Sequence, residues 1–248
     1  MEQWGIDSPL GASNLLQDPE ESSFFKSNGS WNTPCGRLFL EWYSGMLLLH
    51  GERLCSVTEA IFLHTGMKIS AKVAGIHWHY YTFSHPSELT AGYYNTLTRD
   101  GYLPIARMFS RYHMTLCCTC FDKRDTEEPS NSKSSPEGSL RQLVNAARIC
   151  NLPLSGENSV ARLDDASLKQ VIKSSKLYSY GAHQSSLSFN YVRMDRNLFD
   201  SHNWNRFAWF VRQMSDPRTF QGKLYCRSES SLPCSSASEE LKRAFAYC

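Results

Sequence analysis

One carboxylate stands out because it directly follows a short apolar run. Residues 154–158 read LSGEN, and we predict that they end a parallel β-strand. Enzymes built on parallel sheets place their chemistry at the carboxyl ends of the strands. Glu157 is therefore a candidate acid or base. The alternative is an exposed loop glutamate beside a turn-forming Asn158.

Other polar side chains fall within, at or just beyond the ends of neighbouring predicted strands. They are Lys72 and His77-Trp78 for the first strand, Thr119 for the second, Glu157 and Asn158 for the third, and Arg193 for the fourth. Any one of them alone fits a structural ion pair or a hydrogen-bonded core histidine. Together they match the way in which a β/α barrel collects its site from several strand ends.

The elements that would position these residues alternate between strand and helix. Apolar runs predict strands at 67–76, at 114–120, at a short segment ending at Gly156, and at 187–194. Helical spacing predicts helices at 103–112, from Ser135, after a cap at Asp164, and at 204–214. A long helix is expected from Thr33-Pro34 through Ile61, with Gly51 as a candidate interruption. This order predicts a parallel sheet covered by helices.

The sequence on either side of this region has a different character. Residues 1–32 are polar and turn-rich, so we expect an extended surface loop there. Residues 33–216 form the expected α/β unit. The Ser-rich residues 217–248 are expected to be a tail with a short helix.

Composition excludes several classes of function. A formal net charge of +2 over 248 residues, without a basic cluster, makes neither nucleic acid nor a membrane an expected partner. No apolar run approaches the roughly 18 residues of a spanning helix. Nine cysteines, an odd number without a secretory signal, indicate reduced thiols and a soluble protein in a reducing compartment. Cys118 and Cys120 are too close in sequence for a typical zinc site, and we expect no metal or cofactor.

Several stretches resemble the plant beta-amylases, glycoside hydrolase family 14. They are KVAGIHW at 72–78, ELTAGYYN at 88–95, RDGY at 99–102, FFKSNG at 24–29, WYS at 42–44, Thr119-Cys120, Arg124-Asp125, SGEN at 155–158 and Arg193. The resemblance covers nearly everything from Phe24 to Met214, in the family's order. It implies a (β/α)8 TIM barrel of which this chain supplies about half, namely strands five to eight.

The resemblance also implies a reaction. The family hydrolyses α-1,4-glucans such as starch and maltooligosaccharides from the non-reducing end, and it releases maltose with inversion. By resemblance Glu157 is the general base. The implied substrate-binding residues are Lys72, His77, Thr119, Asn158, Ser159 and Arg193. Inversion needs a second, protonated carboxyl group, and the family's acid belongs to the first half of the barrel, which the resemblance does not cover.

Some residues depart from the family pattern. His79 replaces an aromatic residue, Asp122-Lys123 replaces a Glu and an apolar residue, and SVA at 159–161 replaces Ala-Leu-Pro. Each departure weakens a sugar contact that the resemblance implies.

Two functions therefore stay open, with a truncated product without function as a third alternative. The chain is either part of a maltose-releasing hydrolase that is inactive without the acid, or a non-catalytic paralogue that binds glucan or regulates starch breakdown. The expected partners are α-1,4-glucan and either the missing barrel half or a second copy of the chain. The expected compartment is the plastid or the cytosol.

Overall fold

The computed structural model describes residues 19–160, 162–179 and 187–220. The strands in this part of the chain are β1 Ser70–Lys72, β2 Thr115–Cys118, β3 Leu154–Glu157 and β4 Leu187–Asn190. The helices are α1 Pro34–Phe62, α2 Pro86–Thr90, α3 Leu103–Arg111, α4 Pro136–Ile149, α5 Asp165–Ser179, α6 Ser201–Ser215 and α7 Pro217–Phe220. None of these described helices is both long enough and apolar enough to cross a membrane.

The strands form one parallel sheet in the order β1-β2-β3-β4. Its register places Lys72 opposite Cys117, Cys117 opposite Ser155, and Glu157 opposite Asn190. Because all strands run in one direction, the loops that follow them lie along the same edge of the sheet. The predicted parallel sheet with covering helices is confirmed.

The two faces of the sheet differ in chemistry because successive strand residues point to opposite sides. Leu116, Cys118 and Leu154 are buried in the main core, which the helices α3 to α6 complete. The opposite face carries the polar or small side chains of Lys72, Cys117, Ser155, Glu157 and Asn190. In a barrel, this second face would line the interior.

Helix ends follow the predicted signals. The Thr33 hydroxyl accepts a hydrogen bond from the Gly36 amide at 3.1 Å, which caps α1. Asp164 caps α5 by accepting from the Ser167 amide at 2.9 Å. The candidate interruption at Gly51 is absent, and α1 is continuous. Gly51 instead allows α1 to pack closely on α3, because a Cβ at this position would lie 3.0 Å from the Met108 side chain.

The strands are shorter than the sequence predicts, especially at 67–76 and 187–194. Beyond β4 the backbone leaves the ladder because the Val192 amide donates to the Asn158 side chain at 2.7 Å, and not to a neighbouring strand. An apolar run therefore marks the strand but not its end.

Residues 19–32, the described part of the predicted 1–32 segment, contribute to a second small core. Phe24, Phe25 and Trp31 are buried there with Leu40 of α1. From residue 221 onward, the predicted tail lies outside the described residues. The division into 1–32, 33–216 and 217–248 stays a prediction.

A buried polar network holds the segment between β1 and α3 in place. The Glu88 side chain is fully buried and accepts from the Tyr102 hydroxyl at 2.5 Å and from the Asn95 amide at 3.0 Å. Nδ1 of His85 lies 2.6 Å from the same carboxylate. Asn95 and Gln142 exchange hydrogen bonds, which connects the network to α4. A buried carboxylate is tolerated here because several donors satisfy it.

We expect Glu88→Gln to lower the free energy of unfolding by about 3 kcal/mol, because an amide cannot accept from all these donors and leaves some unpaired. Chemical denaturation monitored by circular dichroism measures the change. The matched control is Glu41→Gln on the exposed surface of α1, where the expected change is below about 0.5 kcal/mol. Equal effects of the two substitutions would contradict a structural role for the network.

Candidate active site

The centre of the site is an ion pair between two strand ends. Nζ of Lys72, at the end of β1, donates to Oε2 of Glu157, at the end of β3, over 2.5 Å. The Glu157 residue is only 7% exposed, whereas the Lys72 side chain is half exposed. The hydrogen bond to Glu157 raises the pKa of Lys72, so its ammonium stays charged. The carboxylate is thus held in one orientation at the mouth of the sheet.

A thiol occupies the other side of this carboxylate. Cys117 of β2 lies between the two charged residues in the register, and its Sγ is 3.5 Å from Oε1 of Glu157. Burial raises the pKa of the Cys117 thiol, with the nearby Glu157 charge adding to the effect. A protonated thiol can donate weakly to the carboxylate. Gly156 of β3 allows the Phe121 ring to pack closely, because a Cβ at this position would lie 2.8 Å from that ring.

Arg193 brings a second positive charge to the site. It has a left-handed backbone, with φ at 62°, which is unusual for a residue with a side chain. Its guanidinium donates to the main-chain oxygen of Asn158 at 2.9 Å. Arg193 also lies close enough to Lys72 to oppose the rise in the pKa of Lys72. Two cations therefore flank the Glu157 carboxylate and the backbone that follows it.

The Asn158 side chain connects two loops. Its amide nitrogen donates to the carbonyl oxygens of Val160 at 2.8 Å and Val192 at 2.9 Å. Its oxygen accepts from the Val192 amide. Both N–H groups of this buried amide are therefore used within the protein, and they fix the loop after β4 against the loop after β3.

Ser159 is held by a carboxylate from a third loop. Oδ1 of Asp122 accepts from the Ser159 amide at 2.6 Å, and Oδ2 accepts from its hydroxyl at 2.9 Å. Asp122 is almost completely buried. This pair gives a structural reason for an aspartate at position 122, and it connects the loops after β2 and β3.

His77 lies on the same edge but contacts a different loop. Its Nδ1 is 2.8 Å from the Ser134 hydroxyl and 3.9 Å from Oε2 of Glu128. Burial lowers the pKa of His77, while the neighbouring Glu128 charge acts in the opposite direction. The imidazole is therefore held mainly in its neutral form at neutral pH.

The last predicted residue, Thr119, follows β2 and is half-buried. Its hydroxyl lies 3.5 Å from the Cys120 thiol. A Cβ at Gly75 would be 2.6 Å from this hydroxyl, so the glycine permits a close approach of the β1 loop.

His79 also has a left-handed backbone, and its ring contacts the Ser87 hydroxyl at 2.7 Å.

The predicted residues therefore divide into two groups. Lys72, Glu157, Asn158, Ser159 and Arg193 form one connected set of contacts and chain neighbours. The contacts described for His77 and Thr119 lead to other loops on the same edge. Sequence reasoning missed the parts played by Cys117, Asp122 and Glu128. Alternation could have found Cys117, which lies two residues before Thr119, but the loop carboxylates carry no such signal.

Comparison with known proteins identifies the family of the chain. Residues 1–219 match the model of a family described as Glycosyl hydrolase family 14. The chain belongs to this family. Its β/α architecture is similar to the catalytic domain of beta-amylase from Paenibacillus polymyxa, with a TM-score of 0.65 at 21% identity over 86% of this chain and 49% of that one. The predicted membership of the beta-amylase barrel family is thus confirmed, with this chain supplying part of a barrel.

Several curated relatives of this family 14 chain are plant proteins. It is 44% identical over 221 residues to Beta-amylase 1, chloroplastic, of Arabidopsis thaliana, covering 87% of this chain and 38% of the relative. It is 46% identical over 216 residues to Beta-amylase 1, chloroplastic, of Oryza sativa subsp. japonica, covering 86% and 40%. It is 39% identical over 216 residues to the Beta-amylase of Glycine max, covering 86% and 43%. The chain spans less than half the length of these relatives.

The lowered pKa of His77 predicts a pH dependence of stability. The folded protein binds the His77 proton less readily than the unfolded chain, whose histidine pKa is near 6.5. The contribution of neutral His77 to stability is therefore fully present above that pH. It is lost as the pH falls from about 6.5 towards the lower folded pKa. The free energy of unfolding, measured between pH 5 and pH 8, should therefore decline at the acid end.

The matched variant is His77→Gln, whose side chain does not titrate. Its free energy of unfolding should decline less steeply with falling pH than that of the wild type. Carboxylates elsewhere contribute equally to both proteins, so the difference isolates His77. Glu128, Asp125 and Lys123 are the charges acting on this ring and are unchanged in the comparison. Parallel pH profiles for the two proteins would contradict the assignment.

Proposed function

We propose that this chain carries the general-base side of an inverting α-1,4-glucan hydrolase and does not hydrolyse glucan by itself. The observation that supports this most is the Lys72–Glu157 pair at the strand ends. An inverting glycosidase needs one ionised carboxylate to activate water. A buried Glu157 with an ammonium against one oxygen and a thiol near the other suits that role.

The catalytic acid of the proposed reaction has no candidate among the side-chain contacts described for Glu157. Inverting enzymes place the acid carboxyl about 6.5–9.5 Å from the base, on the other side of the sugar. Among the described residues, the side-chain contacts given for Glu157 are with Lys72 and Cys117, and the resemblance assigns the acid to the first half of the barrel, which this chain does not match. One carboxyl group cannot be both the protonated acid and the ionised base at one pH. We therefore infer that the acid must come from outside the described residues.

The proposed ligand is an α-1,4-glucan, bound along the carboxyl edge of the sheet. Lys72, Arg193 and Thr119 have side chains at this edge that can contact sugar hydroxyls. The side chains of Asn158 and Ser159 mainly hold loops, so we assign them an indirect role in binding. The names of the plant relatives support starch as the glucan and the plastid as the compartment.

A non-catalytic glucan-binding role is the second candidate. It is favoured by the departures from the family pattern at His79, at Asp122-Lys123 and at residues 159–161. The two candidates differ in one respect, because only the hydrolase gains activity when a complementary barrel half carrying an acid is supplied.

We expect the purified chain to release no maltose from soluble starch above the level of a Glu157→Gln variant, because the acid is missing. Maltose is measured by chromatography after long incubation. The same assay is repeated with an added first half from a plant relative. Maltose release by the wild-type chain alone, but not by the Glu157→Gln variant, would contradict the inactive assignment.

We expect weak binding of maltotetraose, with a dissociation constant on the order of millimolar, equivalent to about 4 kcal/mol. Only one wall of a cleft contributes, and each exposed hydrogen bond adds about 0.5–1.5 kcal/mol. Arg193→Ala should weaken binding about tenfold, since hydrogen bonds to charged groups contribute roughly 1.5–3 kcal/mol. Ligand-observed NMR measures both values.

The control for this experiment is Arg196→Ala, an exposed arginine three residues further along the chain. It should leave the affinity unchanged. If Arg193→Ala also leaves it unchanged, the glucan does not contact Arg193. Binding in the micromolar range would mean that residues beyond this edge of the sheet also contact the glucan.

A further inference from the structure

The His77 imidazole is held in one place on the carboxyl edge of the sheet. The Ser135 amide donates to the carbonyl oxygen of His77 at 2.9 Å, and the Ser139 hydroxyl donates to that of Ile76 at 2.8 Å. The ring lies against Trp78, with 4.5 Å between the two ring centroids. His77 is only 5% exposed. Because the ring has a fixed place, its hydrogen bonding depends on which nitrogen carries the proton.

Two oxygen atoms lie near Nδ1 of His77. The Ser134 hydroxyl oxygen is 2.8 Å away, and Oε2 of Glu128 is 3.9 Å away. The hydroxyl can donate or accept, so it fits both neutral tautomers of the ring. The carboxylate is too far for a hydrogen bond, but its negative charge attracts an N–H dipole and repels a lone pair. Glu128 therefore distinguishes the two tautomers and favours the proton on Nδ1.

A lysine contacts the other oxygen of the same carboxylate. Nζ of Lys123 lies 3.6 Å from Oε1 of Glu128. The side chains are 29% and 10% exposed, so water screens this pair less than it screens a surface pair. Lys123 is also one of the residues that depart from the family pattern. Contacts thus run from Lys123 through Glu128 to His77.

The influences on the charge of the ring act in opposite directions. Burial lowers the pKa of His77 most, Glu128 raises it, Lys123 lowers it, and Asp125 raises it. A carboxylate without a compensating charge would favour the imidazolium. Because Lys123 offsets part of this effect, Glu128 can orient the proton of the ring while the ring stays neutral.

We propose that Glu128 is a positioning residue that fixes His77 as the neutral Nδ1–H tautomer, and that Lys123 holds Glu128 for this task. In this tautomer Nε2 carries a lone pair and accepts a hydrogen bond. A glucan hydroxyl that meets the ring must then donate its proton. This last consequence rests on the proposed function, whereas the tautomer does not.

An acceptor complements the exposed cations of the candidate site. The ammonium of Lys72 and the guanidinium of Arg193 can only donate. A sugar hydroxyl has one proton to donate and two lone pairs that accept. Neutral His77 adds an acceptor for such a proton, and the imidazolium would lose this ability. The balance between Glu128 and Lys123 therefore affects which contacts a glucan can make.

The test is long-range proton–nitrogen NMR on the full chain, because the two nitrogens of a neutral imidazole resonate far apart when one carries a proton. The spectrum of His77→Gln identifies the His77 signals among the eight histidines of the chain. We expect the wild type to carry the proton on Nδ1 at neutral pH. Glu128→Gln keeps the size of the side chain and removes its charge. It should populate the Nε2–H form and lower the pKa of His77 further.

Lys123→Met should shift the pKa of His77 in the opposite direction and raise it. Combining it with Glu128→Gln should give a pKa between those of the two single variants, with the preference for Nδ1–H lost. A merely structural disturbance of the loop would not produce shifts of opposite sign. The control is Glu41→Gln on α1, which is not among the charges that act on His77 and should change neither the tautomer nor the pKa.

A second measurement follows maltotetraose binding by ligand-observed NMR. Glu128→Gln should weaken binding by about threefold, the lower end of what one neutral hydrogen bond contributes. His77→Phe, which has no acceptor, should weaken it at least as much. Adding Glu128→Gln to His77→Phe should cause no further loss, because Glu128 acts through the ring.

The outcomes separate this proposal from the proposed function. A wild-type His77 that carries its proton on Nε2, or a tautomer that Glu128→Gln leaves unchanged, would overturn the role of Glu128. Additive losses of affinity in the double variant would overturn its action through His77. A wild type with the expected tautomer that binds no maltotetraose would contradict the proposed function and support the assignment of Glu128.

Discussion

The arrangement of the site depends on the parallel register of three strands. Lys72 lies opposite Cys117, and Cys117 lies opposite Ser155, so Glu157 is one pleat further along on the same face. This register brings an ammonium, a thiol and a carboxylate together from positions 45 and 40 residues apart. A shift by one residue in any strand would turn the side chains of that strand towards the helices. The helices on the other face prevent such a shift, because Leu116 and Leu154 are buried against them.

The loops above the sheet are held by hydrogen bonds from polar side chains of the same edge. Asn158 satisfies three backbone groups, and Asp122 satisfies both donors of Ser159. These bonds also keep Arg193 in its unusual left-handed conformation, which the loop alone would not favour. The polar residues of this edge thus serve two purposes. Some present charge to the solvent-facing groove, and others determine where those charges point.

The sheet of the described residues has four strands, and its first and last strands each pair with one neighbour. The described strands correspond to half of a (β/α)8 barrel, and the chain spans less than half the length of the plant relatives compared above. A complete barrel satisfies its backbone groups by closure and collects catalytic residues from strands on both sides of its axis. In such a barrel the pairing of the edge strands and the assembly of the site therefore depend on the same set of strands.

The sequence by itself determined the features that depend on local spacing. It predicted α3, the start of α4 and the Asp164 cap closely, because capping and helical periodicity involve residues three or four apart. It also placed Glu157 at the end of a strand, but it placed Lys72 within a strand whose last residue it is, and Arg193 at the end of a strand that ends at Asn190. Only the tertiary structure decided where strands end, that Gly51 is a contact and not a break, and that Asn158 and Ser159 mainly hold loops. Those outcomes depend on partners far away in the sequence, such as Val192 for Asn158 and Asp122 for Ser159, and local patterns contain no information about such partners.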